Sequence, residues 1–250
     1  MVESSPNKWP LPARKQTVTN VVIAKTPAYP LWFPGEMSHY RQCLGRVALS
    51  ESSMPEAVPG SLRGVVNRYR ESPSEVQGYF EAIPALIENY DWEVSIGFMF
   101  MRLEKALNTM LYCGARKLHR AHAETAYRFV DQHHMTRKEF RRLFRNVFGE
   151  EIPKELVDTL SEAEKVRDKI IHGKTAVGAD KRKAIVQLIA YAEGMNDLVD
   201  RLAGFRPFTT DLRGFAGSGE ALNAPTTAWL MKGLGFTGRA SDDAAASGPG

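Results

Sequence analysis

Residues 96–111 read IGFMFMRLEKALNTML, and the placing of their apolar side chains decides the fold. Ile96, Met99, Phe100, Leu103, Leu107, Met110 and Leu111 recur at steps of three and four, the period of one helix face and not of a strand. A Met- and Phe-rich stripe of this kind reads as core rather than as a cofactor site. The same period returns further along the chain. Leu156, Leu160, Ala163, Val166 and Ile170 follow Pro153, and Gly173 is the expected stop. After a loop over 174–179, Asp180 is a plausible cap for a last long helix carrying Ile185, Leu188, Ile189, Ala192, Met195, Val199 and Leu202. Between these stripes, Thr136-Arg137-Lys138-Glu139 has the form of a capping box, and the short helix it opens should end at Gly149. Toward the N-terminus, Ser72-Pro73-Ser74-Glu75 reads as a second capping box with proline at the first helical position. Tyr79, Phe80, Ile83, Leu86 and Ile87 continue from it, with Pro84 expected to bend or break that helix.

These stripes predict an all-α fold, an antiparallel bundle of about four or five helices over residues 72–205. The flanks differ in character. Eight of the fourteen prolines fall in the first sixty residues, so 1–71 reads as an irregular arm. Within it, Val18 to Ala24 is a candidate short strand, and Trp32, Phe33 and Tyr40 are candidates to pin the arm to a core. Residues 206–240 read as a Gly- and Thr-rich extension packing back through Trp229, Leu230 and Phe236. Residues 241–250 are small and polar and read as a disordered tail. No internal repeat is present.

The formal net charge of +4 is too mild to argue for nucleic acid by itself. Its distribution is more telling: residues 115–148 hold nine Lys/Arg against three acidic residues. The two cysteines, Cys43 and Cys113, make neither a disulfide framework nor a metal knuckle and fit a reducing compartment. MVESSPNKWPLPARK has no apolar core of signal-peptide type. Arg102, Glu104 and Lys105 interrupt the most apolar window, so no membrane span is expected. The expectation is a cytoplasmic protein.

Chemistry concentrates in Arg167-Asp168-Lys169-Ile170-Ile171-His172-Gly173. An arginine precedes a histidine with four residues between them, at a helix end. Spacings of four to six residues are cheap: Arg128 to His133 has four between, and Arg116 to His122 and Arg128 to His134 have five. Three features single out Arg167 and His172. Asp168 follows the arginine and stands four residues from His172, where a carboxylate can accept from one ring nitrogen and fix its tautomer. Ile170 and Ile171 are expected to anchor the turn in the core. Gly173 ends the helix, leaving His172 at an open surface. His119 and His122 share a helix face but lack acidic or cysteine partners at metal-site spacing, so no metal is assigned. With His133 and His134 they are expected to decorate the basic surface.

The arginine, the polar residue after it, the apolar pair before the histidine, the glycine, and a long helix on each side resemble the HEPN superfamily of all-helical domains. The resemblance covers the bundle and leaves both flanks unexplained. It implies a metal-independent endoribonuclease without cofactors, in a toxin–antitoxin or phage-defence setting. It also implies a homodimer, because Arg167 and His172 lie about 140° apart around a helix and ~7.5 Å along it, so two copies of the motif would face each other in one cleft. Arg167, His172 and Asp168 are the expected catalytic residues. Arg137, Arg141 and Arg145 on the basic segment, with Lys174 beside the motif, are the expected RNA contacts. Two other classes stay open. One is a non-catalytic HEPN-like module for dimerisation or partner binding, with an antitoxin or a nucleotidyltransferase as partner. The other is a nucleic-acid-binding protein without catalysis.

Overall fold

A computed structural model describes residues 59–217 and 219–237. The expected strand at 18–24, the anchors Trp32, Phe33 and Tyr40, Cys43 and the tail 241–250 lie outside the described residues. Those described form nine α-helices and no strand. They are α1 (Leu62–Glu71), α2 (Ser74–Tyr79), α3 (Ile83–Asn89), α4 (Trp92–His119), α5 (Ala123–Gln132), α6 (Arg137–Phe148), α7 (Lys154–Ile171), α8 (Gly178–Ala203) and α9 (Ala224–Leu234). The fold is all-α, as the apolar period predicts.

Helix α4 is the strut around which the others pack, meeting α3, α5, α6, α7 and α8. Its 28 residues span about 42 Å. The stripe from Ile96 to Leu111 is buried along its length. Further on, Cys113 is fully buried, and burial pushes its thiol up to about 12, so it is inert core. Gly114 lets α6 approach: a Cβ there would stand 2.7 Å from Val147 and Phe148. The Thr136–Glu139 capping box forms as read, and α6 ends at Gly149 with φ 77°.

Helices α7 and α8 make an antiparallel hairpin. Leu156 packs against Gly194 at one end, and Lys169 reaches Asp180 at 3.7 Å at the other. Helix α7 also runs antiparallel to α4, since Phe100 meets Arg167 while Glu104 and Glu164 share Arg137. The hairpin turn is closed by Gly173 at φ 67°, with the Lys174 N–H donating to the Lys169 carbonyl (2.8 Å) and the Gly173 N–H to Ile170 (3.0 Å). This is the Schellman arrangement that a glycine makes cheap.

Four details depart from the sequence reading. Residues 62–71 are helical, so the irregular arm does not extend to 71. No proline falls between 59 and 73, Val65, Val66 and Tyr69 are buried, and Ser61 caps the start. Ser72 does not open a capping box; its buried hydroxyl donates to the Tyr69 carbonyl (2.6 Å) and closes α1, and α2 begins at Ser74 behind Pro73. Pro84 does not bend a helix, because the chain has already broken at 80–82 and the proline sits in the first turn of α3, where it costs nothing. Helix α8 starts at Gly178, so Asp180 lies in its first turn instead of capping it.

The extension after α8 packs as expected through Phe236, but Trp229 is 76% exposed. Leu230 also packs against the core as expected, and Phe208, Thr227 and Met231 are further, fully buried anchors. The buried Asn196 side chain holds Phe208 by both backbone groups: its Nδ2 donates to the carbonyl (3.0 Å), and its Oδ1 accepts from the N–H (2.8 Å).

Candidate functional site

The last turn of α7 brings Arg167, Asp168 and His172 together on a rigid helix end. Val166 is buried and holds the helix to the core, which leaves Arg167 at the boundary with a quarter of its side chain exposed. The guanidinium carbon lies 4.6 Å from the centre of the Phe100 ring. That distance suits cation–π attraction. Its Nε and one Nη donate to Asp168 Oδ1 at 3.0 and 2.8 Å. The other Nη is 3.9 Å from Glu164, beyond hydrogen-bond reach. One edge of the guanidinium is therefore fixed and the other is lightly held.

His172 occupies the C-cap with φ −85° and ψ 13°, its N–H donating to the Asp168 carbonyl at 3.0 Å. The residue is exposed, and among the described residues its ring makes no hydrogen bond. Asp168 pairs with Arg167 and not with the His172 ring, contrary to the spacing argument. The backbone has already left the helical conformation at His172, which spoils the four-residue stacking, and a guanidinium is the stronger partner for a carboxylate. Ile171 does not anchor the turn either: it is 68% exposed, and only Ile170 packs against the core.

The other expected contacts separate into two kinds. Arg137 is not available to RNA. It is clamped between Glu104 and Glu164, both as hydrogen bonds and as ion pairs, with Nη1 3.1 Å from Glu104. Burial works against its charge, yet the bonds to the two glutamates outweigh that and raise its pKa. It is a structural tie between α4, α6 and α7. Arg141 and Arg145 are exposed and line an open cavity of about 440 Å³ between α6 and α7, with Lys138, Arg142 and Lys154. That cavity reaches only as far along α7 as Val157, ten residues or about 15 Å from Arg167. Lys174 is exposed just past the motif.

Most of the other histidines are structural, not surface decoration. His119 Nε2 is bonded to the Val147 carbonyl (2.8 Å), and His122 Nδ1 to the Thr125 hydroxyl (3.2 Å). His133 is buried, its Nδ1 accepting from the Thr237 N–H (3.1 Å) and its ring edge-on to Phe236. His134 alone of these is exposed at the surface. Among the described residues no group of three or more His, Cys, Asp or Glu could hold a metal, and no helix is long and apolar enough to cross a membrane.

Two features of the site escape a reading by motif. Phe100, counted in the sequence only as core, is the platform of Arg167. An exposed apolar row also flanks the motif: Val94 and Met101 on α4 are 47% and 61% exposed, with the exposed Gly97 between them. Glu93 pairs with Lys181, which sets this end of α4 beside the α7–α8 turn, where Ile171 and Val177 are also exposed. The signal was in the sequence. Val94, Gly97 and Met101 share a helical face, but the buried stripe next to it masks the pattern.

Compared with known protein families, curated sequences and solved structures, the chain matches none.

Proposed function

We propose that the end of α7 is half of a composite ribonuclease site, and that the protein is a metal-independent endoribonuclease of HEPN type acting as a homodimer. The observation that carries this reading is a half-buried arginine, fixed on Phe100 and Asp168, beside an exposed histidine with an uncommitted ring. The two groups diverge around the helix, so one chain does not close on one phosphate. The exposed apolar row of Val94, Met101, Ile171 and Val177 supplies a surface for a second copy. Pairing across it would face two motifs into one cleft.

The chemistry then balances without a metal. His172 of one copy takes the proton of the ribose 2′-hydroxyl, whose oxygen attacks phosphorus. The bond to the 5′-oxygen breaks, and that oxygen takes a proton from His172 of the second copy. An imidazole can take a proton in the first step and give one in the second. The lightly held edge of Arg167 meets the charge that grows on the phosphoryl oxygens. The products are a 2′,3′-cyclic phosphate and a 5′-hydroxyl. Such an activity calls for restraint inside a cell, which fits a toxin–antitoxin or phage-defence setting.

A partner-binding module without catalysis is the second reading, favoured by the same apolar row and by the occupancy of Arg167 by Asp168. Incubating the purified protein with RNA in EDTA separates the two. Cleavage that His172→Ala abolishes supports the enzyme; intact RNA with a stable dimer supports the module.

A further inference from the structure

Two cavities meet between α6 and α7, and they differ in chemistry. The outer one, about 440 Å³ and open, is lined by Lys138, Arg141, Arg142, Arg145 and Lys154, with Glu151 the only acid. The inner one, about 100 Å³, is lined by Phe140, Ile152, Val157 and Leu160, with Ser161 at its wall, Tyr191 buried below and the Arg137–Glu164 ion pair at its far end. Arg141, Ile152 and Val157 line both, so the two adjoin.

The cations are poorly neutralised. Among the described residues Lys138 and Arg141 have no ion-pair partner and Arg142 donates to the Gly235 carbonyl, whereas Arg145 pairs with Glu151 at 3.4 Å and Lys154 with Asp158. The three cations without a carboxylate partner repel each other around one cavity, and an anion relieves that cost. The N-terminus of α7 opens at Lys154 on the same rim and adds positive potential. The inner slot has the opposite character. Its volume is of the order of the roughly 150 Å³ that takes a benzene ring. Being smaller than that cavity, it has room for one ring at most and none for a fused pair.

We propose that this cleft binds a nucleotide, with a pyrimidine ring in the inner slot beside the Ser161 hydroxyl and the phosphate on Arg141 and its neighbours. Arginine grips phosphate oxygens through paired N–H groups, and single-stranded RNA is read through unstacked bases of this kind. The outer, cationic cavity reaches no nearer to Arg167 than Val157, about 15 Å along α7, while the inner slot runs on to Glu164, so the phosphate held on Arg141 is not the one being cut. Where the nucleotide belongs to RNA, the cleft reads a base a few positions from the cleavage point. That source rests on the ribonuclease reading; a free mononucleotide does not.

The test uses the full chain carrying His172→Ala, titrated at fixed salt with uridine monophosphate, adenosine monophosphate, orthophosphate and oligouridylate. Uridine monophosphate is expected to bind about tenfold or more tighter than orthophosphate or adenosine monophosphate. Val157→Trp, which fills the slot and keeps the cations, is expected to reduce uridine monophosphate to the orthophosphate level; Ser161→Phe, at a half-exposed position, serves if that variant does not fold. Arg141→Ala weakens both ligands by about tenfold, and Lys183→Ala on the exposed side of α8 weakens neither. An oligouridylate advantage that Val157→Trp removes assigns the source to RNA, while equal binding of oligomer and monomer assigns it to free nucleotide. Orthophosphate binding as tightly as uridine monophosphate overturns the proposal. So does binding that neither slot-filling variant changes, even where the wild type cuts RNA. A wild type that binds uridine monophosphate as expected but leaves RNA intact overturns the ribonuclease reading and keeps the nucleotide site.

Discussion

Arg167 and His172 are held by unequal means, and the difference sets what each substitution does. Arg167 has a stacking platform and a carboxylate; His172 has only its backbone bond. His172→Ala should therefore leave stability unchanged while cleavage falls by about 10²–10⁴, the usual loss of a proton-transfer group. Arg167→Ala should lose activity by a similar ~10²–10³ and should also lower stability slightly through the bared Phe100 face. Asp168→Asn should slow cleavage less than either, because its carboxylate positions the arginine and is itself exposed. Rates of RNA cleavage and thermal melts of the three variants check this ordering, and a silent Arg167→Ala would contradict it. Arg137 behaves oppositely. Arg137→Ala leaves Glu104 and Glu164 facing each other without their shared cation, at an expected cost of about 2 kcal/mol or more in denaturant unfolding.

The helix ends carry the geometry of the site. Gly173 adopts φ 67° to close the α7–α8 turn, so Gly173→Ala should cost roughly 1–2 kcal/mol and displace His172, lowering activity by more than its stability loss explains. At the far end of the molecule His133 ties the extension after α9 to α5. Burial lowers its pKa below the ordinary 6.5, with Arg142 and His134 acting in the same sense and Glu139 against it. The folded state then binds fewer protons than the unfolded one. Its stabilisation is present above pH 6.5 and is lost as pH falls through the lowered folded value. Unfolding monitored between pH 7.5 and 5 should show this loss, and His133→Asn should flatten it. These ends were legible to different degrees. Gly149, Gly173 and the Thr136–Glu139 box could be read because cap chemistry is local. The pairing of Asp168 with Arg167, the clamp on Arg137 and the buried His133 could not, because each is decided by a group from another helix or by where the helix ends.

At the scale of the whole molecule, the buried stripe of α4 was legible as core, and the exposed row beside it was not, because periodicity reports a face without saying what covers it. That row is the surface on which the proposed composite site depends. Met101→Glu and Ile171→Glu replace side chains already 61% and 68% exposed, so the monomer should keep its fold within about 0.5 kcal/mol. Light scattering should show the dimer dissociating, and cleavage should fall together with it. A fully active monomer would remove the need for a second copy. The central claim is tested most directly by digesting RNA with purified wild type in the presence of EDTA and analysing the ends. The expected result is fragments with 2′,3′-cyclic phosphate and 5′-hydroxyl ends from the wild type and intact RNA from the Arg167/His172 double variant. Intact RNA with the folded wild-type dimer, or equal cleavage by the double variant, would contradict it.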